Sequence, residues 1–139
     1  MSLAPAPSRA RLGRALLVFA SVGHILGYLY AAPEHVVDPS WPPHARFHVL
    51  QAIFWIAGLD LAAVAIVLGP LAREQRWARA TLLMIWPFAH VAYFVALLRG
   101  GGPPETSAHL ALGVLLVMYG AGLALVWRSP PDASATTPR

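Results

Sequence analysis

The sequence has no cysteine, which removes thiol nucleophiles, thiolate metal sites, disulfides and cysteine-linked haem. It has no lysine either: all ten basic residues are arginine, so lysine Schiff-base chemistry has no residue to use. Charge is scarce, at 12% of 139 residues against 58% hydrophobic. A chain this apolar does not make an ordinary soluble domain, and lipid is the expected solvent for most of it. The formal charge of +4 does not point to nucleic acid, because the arginines collect at the ends of apolar runs and form no basic stripe interleaved with aromatics. Any chemistry must come from His, Asp, Glu, Arg, Tyr or a bound cofactor.

Apolar runs are what the sequence has in quantity. Crossing a hydrocarbon core of about 30 Å takes about 20 residues of helix. Four segments qualify: about Leu12 to Tyr30, His44 to Leu68, Ala78 to Leu98, and about Ala108 to Trp127. Prolines and glycines separate them, at Pro33, Pro39, Pro42 and Pro43, at Gly69 and Pro70, from Gly100 to Pro104, and at Pro130 and Pro131. The connections are short, so sequential helices are expected to be antiparallel neighbours in an all-α integral membrane protein, an antiparallel bundle of four transmembrane helices forming one domain. The tails, Met1 to Ser8 and Pro130 to Arg139, read as loose segments rich in Pro, Ala, Ser and Thr.

Arginine sets the expected orientation. Arg9, Arg11 and Arg14 precede the first span, Arg73, Arg76 and Arg79 surround the second connection, and Arg128 and Arg139 end the chain. That side reads as cytoplasmic, which puts both termini inside and the chain in a membrane of the bacterial inner (plasma) type. The opposite loops hold Glu34, Asp38 and Glu105, with Arg46 and Arg99 near helix ends. Trp77 and Trp127 then fall at the inner interface, and Tyr30 and Trp41 at the outer one. The Arg-rich start and the Ala31-Ala32 pair also resemble a secretory leader, but Pro33 and a His within the apolar run argue for a retained span.

Six histidines in so apolar a chain need an account, since ionisable groups in a membrane are costly and face the bundle interior or a wet cavity. Counted at about 1.5 Å per residue from the outer helix ends, His24 lies about 9 Å deep, His48 about 6 Å and His90 about 12 Å. His44 and His109 come at the mouth of the same region, with Glu105 one turn before His109. Helical spacing puts His44, His48, Gln51 and Trp55 on one face of the second helix, Ser21, His24 and Tyr28 on one face of the first, and Trp86, His90 and Tyr93 on one face of the third. Imidazoles beside aromatics are what an outer-leaflet pocket for an apolar small molecule needs, with Trp55 and Trp86 as its floor.

Several chemistries fit this pattern. In one, imidazoles from His24, His44, His48, His90 and His109 supply ligands for a transition metal, with Glu105 or Gln51 orienting them. In another, His48, His24 or His90 works as general acid or base without a metal, with Glu105 nearby and Gln51, Trp55, Trp86, Tyr28 and Tyr93 holding the substrate. In a third, His24 and His90 bind a haem iron between them. The residue after His44 is Ala45, so the zinc-protease pattern is absent. Plainer roles stand beside these: His44 and His109 can be solvated at the interface, His35 is a loop residue, and His24 and His90 can hydrogen-bond across helices. Asp60, about 24 Å down the second helix and on a different face from His48, reads as a partner of Arg73, Arg76 or a neighbouring helix, or as part of a proton relay. Gly113, Gly120 and Ala124 read as a packing stripe.

The stretch Asp38-Pro39-Ser40-Trp41-Pro42-Pro43-His44-Ala45-Arg46-Phe47-His48-Val49-Leu50-Gln51 resembles a signature of a family of small four-helix membrane proteins of unknown function. It covers about a tenth of the chain, and Asp38 stands where Asn is commoner. The resemblance implies the architecture and singles out His44, Arg46, His48 and Gln51, adding Arg46 to the residues expected to bind substrate. The layout is also similar to the sterol-isomerase and sigma-2-receptor superfamily, whose members hold apolar ligands among membrane helices. This chain lacks that group's paired intramembrane carboxylates. The expected function is therefore a membrane-embedded enzyme acting on a lipid-soluble small molecule, with a transition metal or haem as candidate cofactor. A non-catalytic ligand-binding protein, or an accessory subunit in a homodimer or larger membrane complex, is the alternative.

Overall fold

A computed structural model describes residues 8–100 and 106–128, which are helical apart from short turns and include no strand. Helix α1 covers Arg9–Val36 and α2 covers Pro43–Leu68. The third span consists of α3, Arg76–Trp86, a π-helical turn over Pro87–Val91, and α4, Ala92–Gly100. Helix α5 covers Thr106–Arg128. The four spans so formed are each long and apolar enough to cross a membrane.

Local chemistry explains the boundaries. Ser8 caps α1 by accepting a hydrogen bond from the Arg11 N–H at 3.3 Å. The helix runs to Val36 and not to Tyr30: Pro33 falls in its last turn and costs it the bond to the Leu29 carbonyl, but the chain keeps its helical course through that turn. The Pro33 carbonyl still receives the Val37 N–H at 3.0 Å. In the following turn the Asp38 carboxylate accepts the Ser40 N–H at 2.8 Å. The Ser40 hydroxyl first, and this N–H second, hold the carboxyl below its usual proton affinity. Pro43 then opens α2, a position where its fixed φ suits the helix and its absent N–H is not needed. In the third span Pro87 cannot donate and its ring crowds the preceding turn. The chain widens there, and the Ala92 N–H reaches the Pro87 carbonyl in an i to i+5 bond.

Helix α1 packs along both α2 and α5, and the third span closes the bundle against α2 and α5. The neighbour order is thus the chain order, as short connections require. Leu17, Ala20, Ala63, Val67, Leu82 and Leu123 fill the interior. Large apolar side chains also cover the outside of every span, among them Phe19, Phe54, Met84 and Val117. In water such a surface would be an aggregation hazard.

The tightest seam lies between α1 and α5. A Cβ on Gly122 would stand 2.8 Å from Leu17 Cγ and 2.9 Å from the Gly13 carbonyl, and one on Gly13 would meet the Gly122 carbonyl at 2.9 Å. Backbone faces backbone here, so neither side can yield by a rotamer change. The expected stripe of Gly113, Gly120 and Ala124 is not that seam: Gly120 accommodates the Trp86 ring, and a Cβ on Gly113 would have only Phe94 within 4 Å. Gly122→Val is expected to destabilise the bundle by about 1–3 kcal/mol or more. Gly58→Ala, where an added Cβ meets nothing within 4 Å, is expected to be neutral or slightly stabilising. Thermal unfolding in detergent, followed by circular dichroism, checks the contrast.

A buried histidine–aspartate centre

The most apolar part of the bundle contains its most polar group. His24 and Asp60 are fully buried, and His90 and Ser21 nearly so. His24 comes from α1, Asp60 from α2, His90 from the π turn and Tyr119, also fully buried, from α5. All four spans therefore contribute one side chain to a single point near mid-height.

The shortest contact is a hydrogen bond of 2.7 Å between His24 Nδ1 and Asp60 Oδ2. With the carboxylate ionised, the shared proton belongs to Nδ1, and His24 Nε2 carries the lone pair. His90 Nε2 lies 3.7 Å from the other oxygen, Asp60 Oδ1, which is too long for a hydrogen bond. The His24 and His90 rings lie with centroids 4.4 Å apart and planes 33° apart. Tyr119 covers the other side of His90 at 4.7 Å and its hydroxyl donates to the Leu82 carbonyl at 3.4 Å. Tyr28, half-buried, stands edge-on to His24 at 4.9 Å. Ser21 lies one turn from His24 with its hydroxyl beside the carboxylate.

Four atoms at this point have no hydrogen-bond partner: Ser21 Oγ and, on the three metal-ligand-type side chains, His24 Nε2, Asp60 Oδ1 and His90 Nε2. Each is buried, so each bears a desolvation penalty that a core group ordinarily avoids by pairing. The three side chains can each offer one ligand atom to a common point, and these atoms lie within 4.8 Å of one another. Ligand atoms around a tetrahedral zinc stand about 3.3 Å apart, so side-chain shifts of about an ångström would close the set. Two neutral imidazoles and a carboxylate suit zinc, or iron and manganese in a site with open positions.

The π turn is what aims His90. Pro87 and Phe88 face outward while Ala89 and His90 are buried. The wider turn changes the register between α3 and α4, and such single-turn insertions recur at functional sites.

The expected pocket does not assemble as the face pattern suggests. His44 and His48 are exposed on α2, and Trp55, expected in the floor, is 66% exposed on the same outward face. Gln51, half-buried, bonds His48 and not the centre, and Arg46 is half-buried near the start of α2. The inward face of α2 carries Ile53, Asp60, Ala63 and Val67. His109 and Tyr93 pair with each other at 3.0 Å, between α5 and α4. Trp86 is half-buried, with its ring against Gly120. Glu105 lies outside the described residues, as does the side chain of His35. Of the five imidazoles expected around a metal, the structure brings together His24 and His90 and leaves out His44, His48 and His109.

The depth estimate fails for one reason. Measured from Val36, the actual end of α1, His24 is about 18 Å down the helix, twice the expected depth. That puts it nearer the about 24 Å of Asp60 than the about 6 Å of His48. Asp60 accordingly bonds a neighbouring helix and not Arg73 or Arg76. The haem arrangement is also set aside by geometry. Imidazoles sharing a haem iron approach from opposite faces of a macrocycle, and two rings with centroids 4.4 Å apart leave no width for one. Tyr119 went unnoticed in the sequence, although a phenol within the apolar run from Leu110 to Trp127 is itself a signal of an inward position.

Searches against protein families, curated proteins and solved structures find no match to this chain. The centre is therefore read from its own chemistry. Replacing Asp60 by Ala leaves the His24 Nδ1–H without an acceptor in an apolar core and is expected to cost about 1–3 kcal/mol of stability. His48→Ala, at an exposed position, is expected to stay within about 0.5 kcal/mol. Unfolding midpoints of the two variants in the same detergent test the difference.

Proposed function

We propose that the protein is a four-span membrane metalloprotein, with both termini in the cytoplasm, whose His24–Asp60–His90 centre holds a transition metal and acts on a lipid-soluble small molecule. The observation that carries this reading is that His24, Asp60 and His90, buried on three separate spans, each have a ligand-type atom within 4.8 Å of the others, while each also keeps one side-chain atom without a hydrogen-bond partner. A group that only fastened helices together would close its hydrogen bonds. The outward apolar side chains on all four spans support insertion, and the arginine distribution supports the orientation.

In this reading His24 and His90 bind as neutral imidazoles and Asp60 offsets the charge of the ion. The metal supplies Lewis acidity at an open position. Tyr119 and Tyr28 flank the ligands and orient what approaches them. A lipid-soluble substrate would come from the membrane side. Between the third span and α5 lies an open groove of about 250 Å³ lined by Leu83, Trp86, Gly120, Leu123, Ala124 and Trp127. Trp86 is one turn from His90, and Gly120 follows Tyr119. The groove thus comes within one turn of the centre on the third span and within one residue of it on α5, and its lining is apolar, as an acyl or ring system requires.

A non-catalytic subunit is the second reading, favoured by the near-complete burial of the ligands, because structural metal sites are closed and catalytic ones keep an exchangeable position. Elemental analysis of detergent-purified, tag-free protein tests the shared claim. A stoichiometric transition metal that survives brief EDTA treatment is expected in the wild type and in His48→Ala, and is expected to be lost in His24→Ala, Asp60→Asn and His90→Ala. Equal metal content across all five proteins, or none in the wild type even after reconstitution, overturns it. An exchangeable water on the ion, read by X-ray absorption or by azide binding, separates the enzyme from the subunit. For the topology, a reporter fused after Arg139 is expected to fluoresce as a cytoplasmic fusion and to show no activity as a periplasmic phosphatase.

A further inference from the structure

The outer end of α2 carries a separate pair of imidazoles that the buried centre does not use. We infer that His44 and His48, with Gln51 behind them, form a surface site for a divalent transition-metal ion of the nitrogen-preferring kind. His44 and His48 fall in the first two turns of α2, four residues apart and hence on one face. Their Nε2 atoms stand 3.1 Å apart, with the rings nearly perpendicular. Nitrogens bound side by side on one ion, at bonds of about 2.0–2.1 Å, are about 2.9–3.4 Å from each other. The pair is thus already at the separation that chelation needs. That contact is a hydrogen bond, in which His44 Nε2–H donates to the His48 Nε2 lone pair when the His48 proton sits on Nδ1, so ion binding would move the His44 proton to Nδ1 and, with a small ring rotation, turn both Nε2 lone pairs to a common point.

Gln51 gives the arrangement its direction. His48 Nδ1 lies 3.3 Å from the Gln51 amide oxygen, which only accepts, so the ring proton is held on Nδ1 and the lone pair on Nε2. That is the outer-sphere pattern of metal-bound imidazoles, in which the far nitrogen donates to an oxygen. Both rings are exposed, so water can complete the coordination and the ion can exchange. Imidazole pairs favour Cu(II), Ni(II) or Zn(II) over the oxygen-seeking Mg(II) and Ca(II). Twelve residues of α2 separate His48 from Asp60, about 18 Å along the axis. The surface site therefore shares no ligand with the buried centre, and the inference does not rest on the function proposed for that centre.

Tag-free protein in detergent micelles, titrated with Cu(II) and followed by electron paramagnetic resonance, tests it. The wild type is expected to show a rapidly filled, EDTA-reversible site with couplings from two imidazole nitrogens. His44→Ala and His48→Ala are expected to lose that signal, Gln51→Ala to weaken binding roughly tenfold, and Asp60→Asn to keep it. Zn(II) is expected to compete with the copper and Mg(II) to leave it unchanged. The inference is overturned if wild-type protein takes up no labile copper, if the signal persists in both histidine variants, or if it disappears in Asp60→Asn while persisting in His48→Ala. The last result would assign the copper to the buried centre.

Discussion

The hydrogen bond between His24 and Asp60 is the constraint around which the bundle is arranged. An ionised carboxylate placed alone in a low-dielectric interior has an idealised desolvation penalty of order 20 kcal/mol, and several kcal/mol survive after relaxation. A made hydrogen bond contributes only about 1 kcal/mol net, or somewhat more when one partner is charged. The contact therefore acts less as a source of stability than as a condition on the fold. Any register of α1 against α2 that separates His24 from Asp60 leaves an acid and an imidazole without partners in an apolar medium. At 2.7 Å little sliding is allowed, and a shift by one helical turn, about 5.4 Å, breaks the contact outright.

That condition divides the structure into a rigid part and an adjustable one. Helix α1 is fixed on one side by the acid of α2 and on the other by the Gly13 and Gly122 backbones of its seam with α5. The third span is tied to α5 by the Tyr93–His109 hydrogen bond at 3.0 Å and the Tyr119–Leu82 hydrogen bond at 3.4 Å, and it is interrupted by a π turn, rests Trp86 on Gly120, and leaves an open groove on its α5 side. It also delivers His90, the polar member of the centre whose distance to the carboxylate is too long for a hydrogen bond. That contact is therefore the one a small shift of the π turn could close, without moving the α1–α2 or α1–α5 seams.

The number of spans and their approximate positions were legible because length and apolarity determine them, and Pro43 and Ser8 do at helix starts what their chemistry dictates. Pro33 misled, since a proline in a last turn looks like a terminator and is not one. The resulting error of six residues placed His24 beside the outer histidines and not beside Asp60. Which face of α2 turns inward was legible only in part. In lipid the outward surface is as apolar as the core, so hydropathy does not distinguish them and polar groups are the pointers. Two candidates competed on that helix, His44-His48-Gln51 near its end and Asp60 near its middle. Depth decides between them: imidazoles at a helix end can meet water, whereas an acid at mid-span must turn inward. The π turn at Pro87 could be located from the proline alone, but its effect on where His90 points could not.

A polar cluster at this depth is a poor choice if stability is the only requirement. Replacing buried ionic groups by apolar residues of similar volume is often neutral or stabilising, by about 1–4 kcal/mol in measured cases. Helix fastening needs one closed hydrogen bond, and Asp60 Oδ2 with His24 Nδ1 provides it. Asp60 Oδ1, His24 Nε2 and His90 Nε2 add desolvation penalties that fastening does not need. A bound group that took up these atoms would offset those penalties. His24, Asp60 and His90 each have one ligand-type atom within 4.8 Å of the others, a gathering from three different spans that helix fastening alone does not require.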